Sequence, residues 1–121
     1  MKVLCTKIIS PTIGEQVADS PWIQIGREYV VLAISAYPGR SPLLQILADD
    51  NSPSWWDSEM FGTTSTRIPS VWVATVSDDG GVNFEPDRWR ERGFWERYFD
   101  RDGDAEAIFQ EELAKILSEA E

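Results

Sequence analysis

The run Tyr29 to Tyr37 (YVVLAISAY) limits this chain more than any other segment. Its near-continuous apolarity fits a strand buried on both faces, because a strand with one wet face alternates apolar and polar residues. Other short apolar runs surround it, separated by turn residues. Met1 to Ser10 is β-branched and apolar around Val3, Leu4, Ile8 and Ile9. Trp22-Ile23-Gln24-Ile25 is short and partly alternating. Leu43 to Leu47 follows the turn signal Pro38-Gly39 and ends at Asp49-Asp50-Asn51-Ser52-Pro53. Val71 to Val76 and Val82 to Phe84 flank Asp78-Asp79-Gly80-Gly81, which reads as a hairpin loop.

From Glu85 the pattern becomes helical. Pro86 marks a helix start, and Gly93 interrupts the segment that follows. The last helix takes Asp104 as its N-cap. Ala105, Ile108, Phe109, Leu113, Ile116 and Leu117 make its apolar stripe, and Glu106, Glu111, Glu112, Lys115 and Glu119 face outward. The fold class expected is α+β, with residues 1–84 mainly β and 85–121 mainly helical. It is a small curved antiparallel sheet or SH3-like barrel of five or six strands, with one or two C-terminal helices. A length of 121 residues suits a single domain, and 42% hydrophobic residues suffice for a core.

Composition then removes whole classes of chemistry. There is no histidine and only one cysteine, so a Ser-His-Asp triad, a histidine metal site and an intrachain disulfide are all impossible. Cys5 reads as a small core residue. No phosphate-cradling glycine loop or paired-carboxylate spacing is evident, so neither an enzyme, a metal site nor a cofactor is expected. Asp100-Arg101-Asp102-Gly103-Asp104 opens like a calcium loop, but Ala105 stands where the sharp turn needs glycine. No signal peptide or membrane span is visible, so a cytoplasmic location is expected.

The formal charge is −10, with 11 Lys+Arg against 21 Asp+Glu. Nucleic acid and anionic membrane are therefore poor partners, since both need cations. The acid is concentrated: residues 41–84 carry a net −5 and residues 102–121 a net −6. In the middle region it adjoins aromatics. Asp49, Asp50, Asp57 and Glu59 bracket the adjacent Trp55 and Trp56. In a strand at most one of these tryptophans enters the core, and the other is free to serve as a binding hot spot. Asp78 and Asp79 add two acids at a loop tip. The run RWRERGFWERYFDR interleaves arginine with aromatics, but each cation has an acid nearby, so it reads as core cover with a paired rim.

The order YVVLAI, LLQIL, SWWDSEMF, RIPSVWVATV, GFWERYFD and then a helix resembles a small SH3-like barrel with a C-terminal helix. The acidic, motif-free profile also resembles the immunity proteins of bacterial toxin systems. That resemblance implies an inhibitor that occludes a basic cognate toxin, such as a nuclease. The alternative is a structural or adaptor domain of a bacterial assembly. The partner-binding residues nominated are Asp49, Asp50, Trp55, Trp56, Asp57, Glu59, Asp78 and Asp79.

Overall fold

Strand β4 (Glu28–Ala36) is the spine of the molecule because three strands pair with it. A computed structural model describes residues 1–120. Ahead of β4 lie β1 (Lys2–Cys5), β2 (Ile8–Ile9) and β3 (Gln16–Val17). After it come β5 (Leu43–Leu47), β6 (Pro53–Asp57), β7 (Phe61–Ser65), β8 (Trp72–Val76) and β9 (Val82–Pro86). A 3-10 turn over Asp87–Arg90 leads to helices α1 (Phe94–Phe99) and α2 (Gly103–Glu119).

One edge of β4 carries β5, and β5 carries β6. The other edge is shared. Glu28 to Val30 pair with β1, and Ile34 to Ala36 pair with β9. The sheet therefore forks into a β1–β7 arm and a β9–β8 arm. At the fork the Trp72 indole N–H donates to the Leu32 carbonyl (2.9 Å), supplying a partner where no strand lies.

The α+β class and the antiparallel pairing agree with the sequence. The barrel does not form: the sheet stays open, with β6 and β7 as separate edges that do not pair with each other among the described residues. The fork explains this, since β4 splits its second edge between two arms. Seven strands share the main sheet and β2–β3 form a separate pair, where five or six strands were expected. Two further corrections follow from hydrogen bonds. Trp22–Ile25 is a loop, not a strand, because the Gln24 N–H bonds the Tyr29 hydroxyl (2.7 Å) and Asp49 N–H bonds the Trp22 carbonyl (2.9 Å). Asp102, not Asp104, caps α2: its backbone is extended, and its carboxylate accepts from the N–H groups of Asp104 and Ala105.

Two hydrophobic cores lie on the two faces. On one, Val3, Val31, Leu44, Ile46, Trp56 and Met60 pack with Ile8 and Ile23, which come from β2 and the loop before β4. Cys5 is buried in this core, and burial raises its thiol pKa. On the other face Leu32 meets Trp89, Phe94, Phe109, Leu113 and Ile116. Here Trp89 stacks on Phe109 at 5.1 Å. The paired rim forms only in part: Arg88 pairs with Glu111, Arg90 with Asp87 (2.5 Å) and Arg97 with Glu91 (3.3 Å), while Arg92 and Arg101 have no ion pair among the described residues. Glu112 departs from the outward orientation expected. It is only 4% exposed, and Arg88 (3.3 Å) and Lys115 (3.6 Å) offset its charge.

Candidate partner-binding face

The tryptophan pair divides as strand geometry requires. Trp56 faces the first core and is 7% exposed, while Trp55 stands on the opposite side of edge strand β6 and is 44% exposed. The Trp56 indole N–H is satisfied by Ser54 Oγ at 2.8 Å. Trp56 is thus a core residue rather than a free contact, and Trp55 is the accessible one.

The two Asp-Asp pairs have one explanation. Ala48 to Ser52 and Ser77 to Gly81 form the same three-residue hairpin loop. In each, the first residue's N–H bonds the fifth residue's carbonyl, and the fourth residue's N–H bonds the first residue's carbonyl. The fourth residue sits at positive φ, Asn51 at 63° and Gly80 at 88°. In each loop the second aspartate accepts from the N–H two residues later: Asp50 from Ser52 (3.1 Å) and Asp79 from Gly81 (3.0 Å). Asp79 also accepts from the Ser77 hydroxyl, which holds its carboxyl below the usual range. The second tip rests on Tyr37 and Pro38; a Cβ on Gly81 would stand 2.4 Å from the Tyr37 ring.

Asp49 is a brace. Its carboxylate accepts from Arg27 Nη1 (2.9 Å), Tyr29 Oη (3.0 Å) and Gln24 Nε2 (3.2 Å). Partial burial by itself would raise its pKa, but these donors outweigh it and hold the carboxyl below the ordinary value. Burial pushes the Tyr29 phenol up to about 12. Asp57 caps the short turn after β6, accepting from the Ser41 hydroxyl (3.0 Å) and Glu59 N–H (2.8 Å). Glu59 itself is exposed.

The eight nominated residues therefore do not make one patch. Asp49 and Asp50 lie at one end of the β5–β6 hairpin, and Asp57 and Glu59 at the other, about 13 Å along the strand at ~3.3 Å per residue. Asp78 and Asp79 belong to the β8–β9 tip, several strands across.

The structure instead adds a region that sequence reasoning passed over. The β2–β3 hairpin and its loop lie over Trp56 and leave a groove on each side. The first, about 360 Å³, runs between Pro11, Val17, Asp19, Pro21, Trp22 and Trp56. The second, about 290 Å³, runs between Ile9, Pro11, Leu43, Trp55, Trp56 and Asp57. Trp56 is the shared floor. Trp22, 48% exposed, tilts over it with ring centroids 6.4 Å apart. Both grooves are built only from residues 8–26 and 41–66. These two stretches hold six acids and not one Lys or Arg. A cation-free stretch at 8–26 matching that at 41–66 was the available signal for Asp19 and Trp22. Asp19 and Glu59 have no ion pair among the described residues.

The chain matches no protein-family model, no curated protein and no solved structure. No helix among the described residues is long and apolar enough to cross a membrane.

Proposed function

We propose that this chain is an acidic protein-binding domain, acting as an immunity-type inhibitor that captures a basic toxin and occludes its active site. It is a binder with no catalytic step of its own, working in the cytoplasm. The observation that carries the reading is the double groove: exposed tryptophans in grooves whose lining holds acids and no Lys or Arg. Exposed Trp at a concave, preformed site is the composition of an interface hot spot. Uncompensated acid around it steers a basic partner and rejects acidic ones.

The test is capture by the immobilised protein from the source cell, at low and high salt, beside a Trp55→Ala/Glu59→Lys variant. One basic protein held through high salt by the parent and released by the folded variant supports the reading. Retention of only abundant basic proteins that wash off with salt sinks it. A stable host-cell assembly that includes no toxin replaces it with an adaptor role. Trp56 is left intact, because its loss would test folding rather than binding.

A further inference from the structure

We infer that the groove between Trp22 and Trp56 is a guanidinium pocket, which takes an arginine side chain of the partner. The inference rests on the basic-partner reading and names the contact that reading lacks. Its walls have the right chemistry. The half-exposed Trp22 indole, tilted at 47° to the buried Trp56 ring beneath it, offers a π face, on which a planar, weakly hydrated guanidinium stacks better than a compact ammonium does. Asp19 lines the same groove with a carboxylate that has no ion pair among the described residues. No arginine or lysine of this chain is among the residues that line it. Elsewhere this chain makes the same contact internally, with the Arg40 guanidinium 4.9 Å above the Tyr37 ring.

The pocket is also held ready. The Trp22 carbonyl accepts from Asp49 N–H (2.9 Å), and the Trp22 N–H donates to Ser20 Oγ (3.2 Å). The Asp49 carboxylate then ties the following residues through Gln24 and Arg27. A braced loop loses little freedom when a ligand arrives, which favours affinity. Asp49 is thus a positioning residue for Trp22, not a contact.

The test follows the indole N–H resonances of the ¹⁵N-labelled protein as two blocked hexapeptides are added, one alternating glycine with arginine and one glycine with lysine. The Trp22 and Trp56 signals should shift saturably, with about threefold tighter binding of the arginine peptide, since both cations meet the π face but only the planar guanidinium also stacks on it. Asp19→Asn should weaken that binding, and Trp22→Leu, which keeps apolar cover but removes the π face, should abolish the preference. Val76→Ala, at an exposed position on β8 outside both grooves, should leave the preference intact. Equal affinity for the two peptides, or shifts confined to other tryptophans, overturns the pocket while the basic-partner reading stands. If neither peptide binds in a salt-dependent way, both fall together.

Discussion

The two faces of the central sheet are closed by different means. One lies under α1 and α2, and an aromatic core of Trp89, Phe94 and Phe109 fills the space with Leu113 and Ile116. Several of its cations are paired, Arg88 with Glu111 at 2.6 Å and Glu112 at 3.3 Å, and Arg90 and Arg97 with their own acids, although acid stays in excess along α2. The other face lies under a two-residue strand pair and a loop clamped by Asp49. That cover buries the core but leaves a groove on each side, lined by Asp19 or Asp57 and by no Lys or Arg. The helix-covered face combines an aromatic core with ion pairs, and the grooved face is the one we propose for a partner.

The largest effect expected sets the faces directly against each other. Phe109→Ala removes a fully buried ring from the helix-side core and should cost about 3–5 kcal/mol in chemical denaturation. Trp22→Ala removes a half-exposed ring and should cost under about 1 kcal/mol, yet abolish arginine-peptide binding. If Trp22→Ala proves as costly to stability as Phe109→Ala, the division between a sealed face and an open one is broken.

A smaller effect is expected at the fork where the two arms of the sheet leave β4. Trp72→Phe keeps an aromatic ring beside Phe84 but takes away the donor to the Leu32 carbonyl. An acceptor left unpaired in a partly buried site costs about 1–3 kcal/mol. Urea unfolding should show this loss with the slope unchanged. A cost near zero would mean that water replaces the indole, and that the fork is looser than the hydrogen bond implies.

Much of this was legible in the sequence, and the limits are instructive. YVVLAISAY, LLQIL and the Asp-Gly hairpin carry their signals locally, in period and in turn residues. So does the split of Trp55 from Trp56. What escaped depends on distant partners. Trp22–Ile25 looks extended until Tyr29, at the start of β4, and Asp49, from beyond the next two strands, claim its polar groups. Glu112 looks like surface until Arg88 arrives from another element to neutralise it. A two-residue strand such as β2 has no periodicity to detect. The choice between a sheet and a closed barrel was equally hidden, because β4 sharing one edge between β1 and β9 is a fact of register, not of composition. For the site, counting acids found the right neighbourhood but overvalued Asp-Asp pairs that turns require. Counting missing cations would have pointed to 8–26 as well.

The smallest effect expected is a pH dependence of opposite sign at two carboxylates. Asp49 has its pKa lowered, with the donors from Arg27, Tyr29 and Gln24 overcoming its partial burial. Its contribution is complete above the unfolded value of about 3.9 and is lost as pH falls through the lower folded value. Glu85 on β9 has its pKa raised, first by burial, with Arg90 opposing. Its contribution is complete below the unfolded value of about 4.3 and is lost as pH rises through the higher folded value. Stability should therefore climb slightly on moderate acidification from neutral pH, as Glu85 takes up its proton. It should then fall at more acid pH as Asp49 loses its charge and the loop carrying Trp22 loosens. Glu28 and Asp79, held low by Thr64 and Ser77, act in the same direction as Asp49, so single variants are needed to separate them. Thermal midpoints between pH 3 and 7 should show Glu85→Gln removing the rise and Asp49→Asn reducing the acid loss. The arginine-peptide titration repeated across that range sharpens the contrast: with Asp49→Asn the Trp22 response should weaken even at pH 7, whereas Glu85→Gln should leave it untouched. A Trp22 response indifferent to Asp49→Asn would detach the brace from the pocket and leave Asp49 as a purely structural carboxylate.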